Sequence, residues 1–189
     1  MVGADTDDTI NATTNNTFGV FDKIDGGAGT DTMNVLTDAM ALPSTFTLAG
    51  VENLVINTTG AGYTVDTAKL PDVTSLTVTD STNGNIAVTA TSAVAVKASA
   101  LTGNMAVTGG SSQTTANSGG TLTLSKAAGA VVGTVEAQGV NAVSINDGTS
   151  VTLTTTGATT GAISVGSTTA PTGAVVIKEG VTFALGQTN

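Results

Sequence analysis

The residues Asp25 to Val35, DGGAGTDTMNV, gather the chain's densest set of groups able to bind a cation. They fit the pattern G-G-x-G-x-D-x-U-x, with U a large apolar residue, through Gly26, Gly27, Gly29, Asp31 and Met33. Glycines admit positive φ and let carbonyl oxygens approach one point, Asp31 adds a carboxylate, and Met33 begins a strand by pointing inward. Such hard oxygen donors suit Ca2+, which takes roughly six to eight of them, so one half-turn needs a second facing it. Upstream, Thr6 to Asn11 (TDDTIN) reads against Thr30 to Asn34 (TDTMN) and aligns Asp8 with Asp31 and Ile10 with Met33. Asp8 and Asp31 are thus expected as partners on adjacent coils, with Asp5, Asp7 or Asp25 completing the shell. The segment between them, NATTNNTFGVFDKI, exceeds one tight turn, so the intervening coil carries an insertion. The bland alternative is a glycine turn beside a solvated acidic loop. The full pattern with a second aspartate segment favours calcium over it.

Composition narrows the function classes. The 189 residues carry a formal net charge of −9, with five lysines as the only basic side chains, and they contain no His and no Cys. Nothing there can neutralise a nucleic-acid backbone or grip anionic lipid, so no nucleic-acid partner and no membrane insertion are expected. Disulfides, zinc-thiolate sites and thiol nucleophiles are excluded with cysteine. Asp5, Asp7, Asp8, Asp22, Asp25, Asp31 and Asp38 make up seven of the fourteen acidic residues, and all lie in the first fifth of the chain. Such crowding repels itself unless a cation resides there. No apolar run approaches the roughly 20 residues of a membrane span, and the acidic start MVGADTDD is unlike a signal peptide.

The elements that would position this site are β-strands. Hydrophobic residues make up 40% of the chain but aromatics only 3%, so a core must be built from Val, Ile, Leu and Ala in thin layers. Apolar pairs one residue apart mark strands at Phe46/Leu48, Leu54/Ile56, Leu76/Val78, Ile86/Val88, Val94/Val96 and Met105/Val107. The series continues at Leu122/Leu124, Val143/Ile145, Val151/Leu153, Ile163/Val165, Val175/Ile177 and Phe183/Leu185. Leu76, Met105, Val132 and Ile163 begin strands about 27 to 31 residues apart, which predicts coils of three short strands. The fold expected is all-β, a parallel β-helix or β-solenoid, with an antiparallel β-sandwich as the alternative. Residues 1–45 are expected to form Asp/Gly-rich calcium-binding coils and residues 46–189 a Thr/Ala/Val/Gly-rich solenoid. One helical turn is expected at Thr37 to Leu42, capped by Asp38 and closed by Pro43.

Over its first third the chain resembles the RTX-type calcium-binding β-solenoids, whose signature is the hemolysin-type calcium-binding repeat, and more closely Caulobacter-type surface-layer proteins. The likeness is carried by Asp7 to Ile10 (DDTI), the GGAGTDTMNV block, and Gly50 to Leu54 (GVENL) leading into Thr/Ala/Val/Gly repeats. The resemblance implies Ca2+ bound by Asp8 and Asp31, with carbonyls from Gly27 and Gly29. It also implies type I secretion, an extracellular place on a bacterial surface, and self-association into a coat, with cell-surface polysaccharide as a further partner. This chain has one good nonapeptide where such proteins often have tandem arrays, which points to one or a few isolated ions.

Two other classes compete with that structural reading. An adhesin or biofilm-matrix module would share the composition, and the Thr-x-Thr triplets at Thr77, Thr121 and Thr152 resemble those of ice-binding solenoids, though their spacing is irregular. A polysaccharide-acting β-helix enzyme would need a general base, an anion clamp or a nucleophile, and the missing His, Arg and Cys remove the common ones. The chain is therefore read as no enzyme. Glu52 is open between a turn ligand, a second cation site and a solvated carboxylate.

Overall fold

The computed structural model describes residues 1–15, 17–135, 140–156 and 161–179. They coil into a parallel β-solenoid. One long sheet runs in the order β1 (Thr9–Ala12), β3 (Thr32–Thr37), β5 (Asn53–Thr58), β7 (Ser75–Asp80), β9 (Ala95–Ala100), β11 (Ser112–Asn117), β13 (Ala130–Val135), β15 (Ser150–Thr155) and β17 (Val175–Glu179). The facing sheet holds β6 (Gly62–Asp66), β8 (Asn85–Ala90), β10 (Met105–Gly109), β12 (Gly120–Ala127), β14 (Val140–Asp147) and β16 (Ile163–Val165). A third, short side pairs β2 (Lys23–Asp25) with β4 (Thr47–Ala49). Neighbouring strands are parallel within each sheet, which rules out the antiparallel sandwich.

Inward side chains stack in columns because the strand period of two keeps every second residue facing the core. Ile10, Met33, Leu54, Leu76 and Val96 form one column, with Gln113, Val131 and Val151 continuing it. Tyr63, Ile86, Met105, Leu122, Val143 and Ile163 face them from the second sheet. Each large aliphatic side chain in this single core contributes roughly 1.5–3 kcal/mol by leaving water.

The coil length differs from expectation. Successive partners in the first column are 17 to 24 residues apart, and most coils have two long sides. Among the described residues, three-sided coils occur only at the N-terminal end, where β2 and β4 lie. The longer period came from strands with little apolar signal. β11 (SQTTAN) turns Gln113 and Thr115 inward, and β13 buries Val131 while Val132 is exposed. Val94 and Phe46 fall just before their strands, and Phe183/Leu185 lie outside the described residues. The triplets at Thr77 and Thr152 share outward columns interrupted by Lys97 and Val132, and Thr121 belongs to the other sheet.

The expected helical turn at Thr37 to Leu42 does not form. Thr37 Oγ1 accepts the Ala39 N–H at 3.0 Å, which closes a tight turn, and Ala41 bridges Thr64 as extended chain. The same device recurs at the ends of later strands in this buried column. Thr58 Oγ1 accepts from the Gly60 N–H at 3.2 Å, Asp80 Oδ1 from Thr82 at 2.6 Å, and Asn117 Oδ1 from Gly119 at 3.4 Å. Short polar side chains at a strand end thus replace a backbone hydrogen bond and turn the chain toward the second sheet. The one 3-10 turn among the described residues, Thr67–Lys69, is capped by Asp66, whose Oδ1 accepts the Ala68 N–H.

The thinnest part of the core lies where Ala98, Thr115 and Gly133 share a column. Gln113 is fully buried and its Nε2 donates to the carbonyls of Gly109 and Ser125 at 2.7 and 2.8 Å, but its Oε1 has no partner, nor has Thr115 Oγ1. A buried polar atom left unmatched costs about 1–3 kcal/mol. Thr115→Val keeps the shape and removes the unmatched hydroxyl, so the urea midpoint should rise, equivalent to about 1 kcal/mol. A lower midpoint would show that the hydroxyl is bonded.

Candidate cation site in the stacked turns

Asp8, Asp31 and Glu52 each stand immediately before a strand of the long sheet, and the residues after them, Thr9, Thr32 and Asn53, pair in register. The three acids therefore form one column, a rung apart, or about 4.8 Å. Like charges stacked on successive rungs repel, so the column needs compensation. Backbone amides supply part of it. Asp31 Oδ1 accepts the Asp8 N–H at 2.7 Å, and Glu52 Oε2 accepts the Asp31 N–H at 2.7 Å. Each carboxylate thus holds the amide one rung earlier, and Asp72 Oδ2 holds the Gly50 N–H at 3.0 Å in the next turn. Glu52, open between three readings in the sequence, is a structural acceptor in this ladder.

The turns ahead of the column stack through glycine. Gly26 packs its α-carbon so close to the Gly50 carbonyl that a Cβ would collide with it, and that Cβ would stand 2.6 Å from Asp31 Oδ2. Gly3 meets the Gly26 carbonyl and Asp8 Oδ2 in the same way one rung earlier. Carboxylate and carbonyl oxygens therefore converge beside each glycine. Gly27 and Gly29 hold φ of 96° and 130°, as the nonapeptide pattern requires.

Asp31 is fully buried, and its Oδ2 has no hydrogen-bond partner. The equivalent Asp8 Oδ2 accepts the Ala4 N–H at 2.6 Å, but the amide that would serve Asp31, that of Gly27, goes instead to Asp25 Oδ1 at 3.1 Å. The aspartate of the nonapeptide is thereby left with one buried carboxyl oxygen unmatched. Asp7 Oδ1 accepts the Thr30 N–H at 2.8 Å, and Asp5 is exposed and without a partner. Among the described residues no three acidic side chains gather closely enough to hold an ion by themselves. A cation here would rest on Asp31 Oδ2 with backbone carbonyls such as that of Gly50, a donor set that suits Ca2+.

The sequence pointed to Asp8, Asp31 and their alignment, and the structure stacks them, with residues 13–15 and 17–22 lying between β1 and β2 as the insertion. Phe18 packs edge-on against Phe46, ring centroids 5.2 Å apart, and pins that loop to the body. Asp72, Gly3 and Gly50 were missed, although Gly3, Gly26 and Gly50 recur at the spacing of one coil. Asp80 was missed too. It is buried at a strand end, and its Oδ2 also lacks a partner. Tyr63 lies in the core, where burial pushes its phenol well above the ordinary value, so it stays neutral.

Compared with known proteins, the chain matches no family model, no curated protein and no solved structure.

Asp31→Asn keeps the acceptor for the Asp8 amide, removes a charge from the acidic column, and gives the orphan position an N–H beside the Gly50 carbonyl. In chelator, this variant should be more stable than the parent by about 1 kcal/mol. A less stable variant in chemical denaturation would show that the unmatched oxygen is satisfied without a cation.

Proposed function

We propose that the chain is a structural module of an extracellular bacterial coat or matrix, a calcium-dependent solenoid that self-associates and performs no catalysis. The observation that carries the calcium reading is the fully buried, unpartnered Oδ2 of Asp31 within a column of three acids. Leaving a carboxylate oxygen unmatched in a buried turn is costly, and a bound cation offsets that cost. The donors beside Asp31 Oδ2 are mostly backbone carbonyls, which suits the weak affinities of extracellular calcium modules, on the order of 0.1–1 mM.

The structural role is supported by the kind of surface the fold builds. Outward columns of the long sheet, such as Thr9, Thr32, Asn53 and Ser75, carry small uncharged side chains in register. Side chains also bridge rungs, as when Asn34 Nδ2 donates to Asn11 Oδ1 at 2.8 Å. Low charge on flat flanks gives little protection against association. No helix among the described residues is long and apolar enough to cross a membrane. Export by a type I route and attachment to surface polysaccharide belong to the same proposal and rest on the resemblance of the Asp/Gly-rich segment.

Thermal melting in chelator and in calcium tests the core of this reading. At calcium about tenfold above its dissociation constant, a ligand held only by the folded state adds about 1.4 kcal/mol, and Tm should rise by roughly 3–6 °C. The rise should vanish in Asp31→Asn and persist in Asp80→Asn. An unchanged Tm in the parent chain up to tens of millimolar calcium would overturn the calcium reading.

A further inference from the structure

The two ends of the long sheet have complementary features. At one end, β1 leaves an edge uncovered among the described residues, beside a cavity of about 290 Å3 lined by Ile10, Ala12, Phe18 and Ile24. The Thr32 N–H donates to the Asp8 carbonyl at 2.9 Å, so in a parallel ladder Asp8, Ile10 and Ala12 face β3 with their backbone groups. Thr9 and Asn11 turn theirs to the open edge. The acid ladder is also incomplete there: Asp31 and Glu52 each hold an amide from the preceding rung, while Asp8 Oδ1 has none to hold.

At the other end, Val175 of β17 pairs in register with Val151 and so belongs to the Ile10 column, yet it is 45% exposed where Val151 is fully buried. The Val151 N–H donates to the Ala174 carbonyl at 2.9 Å, which leaves the backbone groups of Val175 and Ile177 directed away from β15. These are the groups that Thr9 and Asn11 of another copy would complete.

We propose that β17, the last described rung of one copy, seats on β1, the first described rung of a second copy, head to tail, continuing the parallel sheet across the junction. Val175 lies over Ile10 and Ile177 over Ala12, closing the cavity, and the Gly173 N–H reaches the free oxygen of Asp8. A head-to-head contact is disfavoured, because it would oppose Asp5, Asp7 and Asp8 to their own copies, whereas the described side chains of β17 include Lys178 and no acid. A head-to-tail contact does not close on itself, so it builds filaments. This inference rests on the self-association in the proposed function and names the surface.

Sedimentation velocity of the 189-residue chain over a range of concentrations tests it with two variants. Asn11→Pro removes an outward amide of an edge strand, where proline is tolerated, and Val175→Asp puts a charge on the exposed last rung. Each should weaken association at least tenfold while keeping the parent's circular dichroism, with Asn11→Pro melting slightly lower because it loses the exposed bond from Asn34. Mixed together, they retain one free tail and one free head, so they should form a heterodimer and stop there. A parent chain that stays monomeric at high concentration overturns both this inference and the self-association. Variants that assemble like the parent, or a mixture that forms no heterodimer while the parent assembles, overturn the end-to-end contact alone.

Discussion

Everything in this molecule depends on the close parallel stacking of one rung on the next. A spacing of about 4.8 Å, repeated along one sheet of nine strands, dictates what each column can contain. Inside, it demands side chains that layer without gaps, and Val, Ile, Leu and Met meet that demand. At the turn before each long strand it presses the peptide of one rung against the α-carbon of another, which only glycine permits at Gly26. At the turn after the strand it leaves no room for a helix, and a Thr, Asp or Asn bends the chain by accepting an amide two residues on. The same spacing brings like charges together wherever acids share a column, so Asp8, Asp31 and Glu52 are at once a consequence of the stack and a strain on it.

The parallel architecture was legible because its signal is local: apolar pairs one residue apart, small residues, few aromatics and regular turns. The alignment of Asp8 with Asp31 and of Ile10 with Met33 was legible for a different reason, since two short segments repeat the same residue types before a strand. Coil length was not legible. It depends on strands such as SQTTAN, whose inward Gln113 and Thr115 look like surface residues, and on which of two adjacent valines in β13 faces the core. The turn at Thr37 was misread because its residues favour a helix locally, while the neighbouring rung holds Ala41 as extended chain.

The site shows the same division. Sequence pattern aligned Asp8 with Asp31, which the register of their strands repeats, but the hydrogen bonds that set their surroundings come from other rungs. Asp25 takes the Gly27 amide, Glu52 takes the Asp31 amide, and the result is that one oxygen of Asp31 is stranded in the interior. An amide ladder could by itself explain acids at these positions. It does not explain the stranded oxygen, a feature that Asp80 shares in its place between Thr58 and Ala100; what sets Asp31 apart is that oxygen together with the acids stacked on either side of it.

Crystals grown in millimolar calcium, with anomalous data collected at long wavelength, would address that atom directly. The expected result is an anomalous peak about 2.3–2.6 Å from Asp31 Oδ2, sharing its ion with backbone carbonyls of the glycine turn. A map without a peak there, with Asp31 Oδ2 bonded to a protein amide or hydroxyl, would contradict the calcium site.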